Sequence, residues 1–191
     1  MIIRDLQAGK VSRLLRQEGL RIQIGPFIVN LKSSMKLISR NIAFFYADDS
    51  NPDDDSFVDF HVRIERPPGL RRWFRPQAVF YFDQLSPFKP LPEDQAFAMF
   101  EWGLNWCIAT ISHQFLIVHA AVVAKENKAI LVPGEPGAGK STLCAALVSR
   151  GWRLLSDEMA LINPENLQIN PVPRPIGLKN DSIEIMQRFD A

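Results

Sequence analysis

The chain has few cysteines and almost no net charge, and each lack excludes a class of protein. Its 2 cysteines in 191 residues, Cys107 and Cys144, have no CxxC or Cys/His ligand spacing around them. The sequence therefore predicts buried thiols, not a disulfide framework or a zinc site. Lys and Arg (22) nearly balance Asp and Glu (21), and the net charge of +1 gives no general reason to expect nucleic acid as a partner.

Long hydrophobic runs are also missing. The longest apolar stretch, residues 115–124, is interrupted by His119 and is far shorter than the roughly 20 apolar residues that span a bilayer. The first residues, MIIRDLQAGK, lack the basic and apolar regions of a secretory signal. We therefore expect no membrane insertion and a cytoplasmic location.

Hydropathy patterns place a domain boundary near residue 114. In residues 1–114, alternating apolar and polar residues predict short strands within 20–33, 56–68 and 77–88, and a helix is expected after Pro92. In residues 115–191, LIVHAAVVA and AILV predict two strands around a tight polar turn, followed by a glycine-rich loop. The predicted fold class is α/β, with a mainly β N-terminal region containing one long helix.

A basic and aromatic segment lies inside the N-terminal region. RPPGLRRWFRP, residues 66–76, combines four arginines with Trp73 and Phe74, a mixture that could stack on a base or bind phosphate. The alternative is a hairpin tip bounded by prolines. Because the rest of the chain supplies no matching basic surface, the hairpin tip is favoured and nucleic acid is not expected.

Residues 134–141, GEPGAGKS, match the Walker A pattern G-x-x-x-x-G-K-[ST]. An apolar strand precedes the loop and a helix-forming stretch follows it, which is the context the pattern requires. Glycines let backbone N–H groups approach a polyphosphate, which then lies at a helix N-terminus. The predicted nucleotide-binding residues are Gly134, Glu135, Pro136, Gly137, Ala138, Gly139, Lys140, Ser141 and Thr142.

This motif predicts ATP and Mg²⁺ as ligands. We expect Lys140 to contact the β- and γ-phosphates and the Ser141 hydroxyl to ligate Mg²⁺. A carboxylate near the metal is also needed, and GWRLLSDEMALI supplies two soon after the loop. A helix over residues 141–149 and a strand over 153–157 are each about 13 Å long, so a reversal at Gly151 would return Asp157 to the phosphates. Glu158 reaches the same side only if the strand bends there, since adjacent strand residues face opposite sides.

VHAAVV, GEPGAGKS and GWRLLSDEMALI together resemble the core of the HPr kinase/phosphorylase group, whose P-loop fold is similar to that of phosphoenolpyruvate carboxykinase. EWGLNWC, STLCAALVSRGWRLLSDE and PRPIGLKNDSI more closely resemble a bacterial family of HPr kinase-related kinases. The resemblance covers most of residues 101–185. It implies a kinase that phosphorylates a protein serine or a small hydroxyl compound.

The resemblance also implies roles for individual residues. It assigns phosphate binding to Lys140, Mg²⁺ to Ser141, and the general base to Asp157. Glu158 stands where the family has a second Asp and would assist the metal, while His119 matches a histidine near the active site or is an ordinary core residue. Two further cations, Arg174 and Lys179, match positions that would bind phosphate or the acceptor, or are ordinary loop charges.

Some features depart from the HPr kinase pattern. Pro136 replaces the usual serine in the loop, and the segment linked to protein-substrate binding and phosphorolysis is not found, so HPr itself is not expected as the acceptor. The chain reaches Ala191 soon after the acidic pair. We therefore expect further residues, or a second copy in a homo-oligomer, to complete the sheet.

Two other functions remain open at this point. One is a carboxykinase-like transfer to a small acid, and the other is a regulatory or assembly module that binds ATP without phosphorylating an acceptor. The acceptor itself, whether protein or small molecule, is not identified by any motif.

Overall fold

The computed structural model describes residues 1–6, 8–53, 55–69 and 74–189. They form two compact units of mixed α/β structure, Met1–Ile111 and Ser112–Ala191. No helix within those ranges combines the length and apolarity needed to cross a membrane.

The first unit is built on one five-stranded sheet. The first two strands form an antiparallel hairpin across Gly25 and Pro26, the second and third are parallel, and the remaining neighbours are antiparallel. Alternation of buried and partly exposed residues gives this sheet one face towards the core. The strands, in sheet order, are β1 (Leu20–Ile24), β2 (Phe27–Ser33), β3 (Phe60–Glu65), β4 (Gln77–Phe82) and β5 (Leu91–Pro92).

Three helices of this unit are α1 (Ala8–Arg16), α2 (Lys36–Phe45) and α3 (Ala96–Ile111). The sequence predicts α3, but the expectation of a mainly β region with one helix is wrong for α1 and α2. Each buries residues four apart, Val11 with Leu15 and Ile38 with Ile42, which is the spacing of one helix face. Both helices are short. α2 has no side-chain N-cap, so the sequence lacks the residue type that usually marks the start of a helix.

Gly103 allows α3 to lie directly against β4. A methyl group added there would overlap the ring of Phe80, which is fully buried and packs on Phe88 with ring centroids 5.5 Å apart. The ring has no free space into which it could move.

We expect Gly103→Ala to lower the free energy of unfolding by about 1 to 3 kcal/mol, although alanine is the better helix former. The matched control is Gly9→Ala in α1, where an added methyl group meets nothing within 4 Å. Urea unfolding followed by fluorescence measures both. Equal stability of the two variants would contradict the packing argument.

Asp49 is a half-buried carboxyl in the turn after α2. Burial, with a smaller contribution from the nearby charges of Asp48 and Glu101, raises its pKa from 3.8 to about 6. The folded chain therefore holds this proton more tightly than the unfolded chain. Its contribution to stability is present below pH 4 and is lost as the pH rises through about 6.

Asp49→Asn should therefore stabilise the protein at pH 7 by about 1 to 3 kcal/mol and have little effect near pH 3.5. Chemical unfolding at a series of pH values measures this. Asp55→Asn, at an exposed loop position, is the control and should show no comparable pH-dependent gain. A constant effect of Asp49→Asn at all pH values would count against the shifted pKa.

The second unit contains two three-stranded sheets, ordered β8-β7-β9 and β11-β10-β6. The predicted single strand over LIVHAAVVA is divided at His119, because its first part pairs in one sheet and its second part in the other. The elements are β6 (Leu116–Val118), β7 (Ala120–Lys125), β8 (Lys128–Pro133), α4 (Lys140–Ser149), β9 (Arg153–Ser156), β10 (Ala160–Ile162), β11 (Ile169–Asn170) and α5 (Asp181–Phe189).

The central strand β7 is buried on both faces, which explains its continuous apolar sequence AAVVA. On one face, Ala121 and Val123 pack against Cys144 of α4. On the other, Ala120, Val122 and Ala124 pack against neighbours that include Leu155. The strand thereby fixes α4 to one face of its sheet.

The end of α4 reverses the chain as the sequence predicts. Gly151 has a φ of 85°, its N–H donates to the Val148 carbonyl, and the Trp152 N–H donates to the Leu147 carbonyl. This pair of bonds is a Schellman motif, which favours glycine at the left-handed position. It returns the chain into β9.

Candidate functional site

The sheet β8-β7-β9 brings the glycine-rich loop and the acidic pair to one edge. Both β8 and β9 are antiparallel to β7, so they run parallel to each other and end at the same edge. Residues 134–139 follow β8 there, and Asp157 follows β9. His119, which directly precedes β7, lies at this edge too. β9 is not the direct neighbour of β8, because β7 lies between them.

The loop joins the end of β8 to the first turn of α4. Gly137 and Gly139 have φ values of 86° and 85°, which residues with side chains rarely adopt. Gly139 is also the N-cap of α4, without a side-chain cap. The first N–H groups of a ten-residue helix are therefore left available to an anion.

Lys140 bonds back onto its own loop. Its Nζ donates hydrogen bonds to the carbonyl of Gly134 at 2.7 Å and to that of Glu135 at 3.1 Å. Both bonds hold the ammonium group across the start of the loop. An incoming anion would compete with two neutral carbonyls for this charge, and a charged partner forms the stronger bond.

A cavity of about 740 Å³ lies in front of the loop. It is of the size that binds small ligands. Of the predicted nucleotide-binding residues, six line it, whereas Gly134, Glu135 and Ala138 do not. The predicted site residues lining the cavity are His119, Pro136, Gly137, Gly139, Lys140, Ser141, Thr142, Asp157 and Glu158.

Both members of the acidic pair line this cavity because the chain bends directly after β9. The buried Ser156 hydroxyl accepts hydrogen bonds from the N–H groups of Met159 at 3.0 Å and Glu158 at 3.3 Å. These bonds form a local side-chain turn. The sequence predicted that Glu158 faces the site only if the chain bends after the strand. It did not single out Ser156, the serine immediately before the two acids, as the residue that holds this bend.

One carboxylate oxygen of Asp157 accepts a hydrogen bond, and the other has no partner among the described residues. Its side chain is 6% exposed, and Oδ2 accepts a hydrogen bond from the Gly177 N–H at 2.9 Å. Oδ1 is buried and has no hydrogen-bond partner among the described residues. A buried carboxylate oxygen without a partner is costly, so a bound cation or hydroxyl at this position would stabilise it.

The charge of Asp157 affects the pKa of Cys144, a buried thiol of α4. Burial raises the pKa of Cys144 to about 11, and the nearby Asp157 carboxylate raises it in the same direction. Cys144 is therefore a neutral packing residue, as the sequence predicts. Burial likewise raises the pKa of Cys107, in the first unit, to about 12.

His119 and Glu158 form a loose pair at the rim. Nδ1 of His119 lies 3.8 Å from Oε2 of Glu158, and both side chains are about half exposed. His119 is therefore not a core residue, which excludes one of the two interpretations of its position. It faces the same cavity as the loop.

The segment after β11 forms the remaining wall. Lys179 lines the cavity, whereas Arg174 is buried and does not line it. The start of α5 is joined to α4 by a hydrogen bond of 2.9 Å from the Thr142 hydroxyl to the Ser182 hydroxyl. Sequence reasoning did not select Gly177 or Ser182, because nothing in their local pattern indicates a contact with Asp157 or Thr142.

The residues that could hold Mg²⁺ are few. No group of three or more His, Cys, Asp or Glu side chains suited to a metal ion occurs in the part of the chain that the structure describes. Mg²⁺ bound together with a nucleotide takes only one or two protein carboxylates, and phosphates and water complete its octahedron. Asp157, whose Oδ1 has no hydrogen-bond partner among the described residues, and Ser141 line one cavity and fit that requirement.

A second cavity, of about 1030 Å³, lies in the first unit and is the larger of the two. Its lining includes Arg16, Lys32 and the ion pair between Arg66 and Glu93, and it contains none of the predicted site residues. Four residues of the basic and aromatic segment, 70–73, lie outside the described residues, so the hairpin-tip interpretation stays a prediction.

Comparisons of the chain with protein-family models, curated protein sequences and solved structures find no match.

We expect Ser156→Ala to leave the N–H groups of Glu158 and Met159 without their acceptor and to lower the free energy of unfolding by about 1 to 3 kcal/mol. The control is Ser149→Ala, which removes only a hydroxyl that donates to the Ala145 carbonyl within α4. Urea unfolding measures both. If the two variants lost equal stability, the turn would not depend on Ser156.

Proposed function

We propose that the chain is an ATP- and Mg²⁺-dependent phosphotransferase that resembles HPr kinase and acts on a protein serine or a small hydroxyl compound. The observation that carries the proposal is that a Walker A loop and a buried carboxylate, one oxygen of which has no hydrogen-bond partner among the described residues, line a single cavity. The second unit would then be the nucleotide-binding core of an HPr kinase-like P-loop fold.

The loop supports polyphosphate binding by its electrostatics. The free N–H groups and the dipole at the start of α4 favour negative charge, and Lys140 adds a positive charge beside them. ATP would draw Nζ away from the carbonyls of Gly134 and Glu135 and replace neutral acceptors with phosphate oxygens.

The other side of the cavity supports a cation and an acceptor. Mg²⁺ would neutralise the charge of the phosphates and hold them in orientation. Ser141 and Asp157 would hold the ion, with Glu158 beside them at the rim. Asp157 has an alternative role, because its unpartnered Oδ1 could instead accept the proton of an acceptor hydroxyl.

The proposed reaction moves the γ-phosphoryl group of ATP to the oxygen of an acceptor hydroxyl. The acceptor oxygen forms a bond to the γ-phosphorus of ATP, the bond from that phosphorus to the β,γ-bridging oxygen breaks, and ADP leaves. The hydroxyl proton passes to Asp157 if the ion is held without it, and to Glu158 if Asp157 ligates the ion. His119 is near enough to Glu158 to influence how that second carboxylate is held.

Lys140→Ala should weaken ATP affinity by about 10- to 100-fold, the loss expected for a charge-assisted phosphate contact. Isothermal titration calorimetry with Mg²⁺ measures this. Lys128→Ala, which removes an exposed lysine of β8 in the same unit, is the matched control and should bind as the wild type does. Undiminished binding by Lys140→Ala would contradict nucleotide binding by this loop.

Transfer is tested separately with γ-labelled ATP, Mg²⁺ and an extract of host cells. Wild-type chain should label an acceptor, whereas Lys140→Ala and Asp157→Asn should not. Labelled protein would support a serine kinase, and a labelled small acid would instead support carboxykinase-like transfer. ATP binding without any label would support the regulatory module, and label that survives both substitutions would exclude the proposed kinase site.

A further inference from the structure

Gly177 contributes a backbone group, not a side chain, to the candidate site. Its N–H donates to Oδ2 of Asp157 at 2.9 Å, across 20 residues of sequence. The bond occupies Oδ2 and leaves Oδ1 buried and without a hydrogen-bond partner among the described residues. Asp157 is almost fully buried, so it has little freedom to rotate and exchange its two oxygens.

We infer that Gly177 is a positioning residue that restricts Asp157 to one-oxygen coordination of a divalent cation, and that the site thereby favours Mg²⁺ over Ca²⁺. This inference rests on the proposed function and decides between the two roles left to Asp157. The one unpartnered oxygen, Oδ1, cannot ligate the metal and accept a proton at the same time.

Coordination chemistry connects this geometry to the choice of ion. Mg²⁺ requires a near-ideal octahedron and takes carboxylates through one oxygen, keeping water in other positions. Ca²⁺ takes six to eight oxygens in flexible arrangements and gains from carboxylates that bind through both. A carboxylate with one oxygen held by a hydrogen bond from an N–H group suits Mg²⁺ better than Ca²⁺. Hydrogen bonds to ligating carboxylates orient them for the metal.

The chain offers a matched pair of substitutions at this position. Gly177→Ala keeps the N–H, and its added methyl group would meet Oδ2 of Asp157 at 3.8 Å, an ordinary contact. Gly177→Pro removes the N–H and frees Oδ2. Because proline also restricts Ile176, a backbone ester at position 177 serves as a second variant that removes the N–H without adding atoms.

The experiment measures the affinity for a fluorescent ATP analogue with Mg²⁺, with Ca²⁺ and with a chelator. In wild type and Gly177→Ala, Mg²⁺ should strengthen binding more than Ca²⁺ does. In Gly177→Pro and the ester, the strengthening by Mg²⁺ should fall by about tenfold or more, while that by Ca²⁺ falls less. Asp157→Asn should lose the strengthening by Mg²⁺, and affinity in chelator should be the same in wild type, Gly177→Ala, Gly177→Pro and the ester.

Each outcome supports or overturns the inference. A purely structural role of Gly177 would lower affinity in chelator and leave the ratio of the two metals unchanged, which would overturn it. Unchanged strengthening by Mg²⁺ in Asp157→Asn would also overturn it and would assign Asp157 to the proton instead. A wild type that binds no ATP in any condition would contradict the proposed function itself, whereas ATP binding with an unaltered metal ratio would contradict only the role of Gly177.

Discussion

The second unit depends on the pairing of one central strand with two neighbours. β7 is antiparallel to both β8 and β9, so the glycine-rich loop and the acidic turn must leave the sheet at the same edge. Burial on both faces keeps β7 in this position, and the packing of Cys144 against Ala121 and Val123 aligns α4 behind the loop. If β7 shifted by one residue, the side chains that now pack against α4 would face the opposite side of the sheet.

The cavity at this edge combines groups with opposite electrostatic preferences. The start of α4 and Lys140 favour an anion, whereas Asp157 and Glu158 favour a cation. Each set alone would repel a ligand that the other binds. A polyphosphate that carries its own divalent cation satisfies both sets at once, which is the physical basis for choosing Mg²⁺ and ATP over a simple anion or a metal alone. Without a ligand, the Lys140 ammonium group binds carbonyls of its own loop, and Oδ1 of Asp157 has no partner among the described residues.

Local patterns predicted the parts of the chain whose structure depends on nearby residues. Alternation marked the β1 and β2 hairpin, apolar spacing marked α3, and Gly151 marked the reversal after α4. The short helices α1 and α2 were missed because each buries only a few apolar residues. The division of a continuous apolar run at His119 was missed because strand pairing with distant partners determines it. The domain boundary near residue 114 stays a prediction.

The sequence by itself determined which chemical groups the candidate site contains: a glycine-rich loop with Lys140 and Ser141, and an acidic pair at the distance of one helix and one strand. Only the tertiary structure decided how those groups are held. It turned Glu158 to the same side as Asp157 through Ser156, buried Arg174 while leaving Lys179 at the cavity, and joined Gly177 to Asp157. The reason is that residue type and spacing set local geometry, whereas a contact such as the one from Gly177 to Asp157, 20 residues apart, depends on the path of the whole intervening chain.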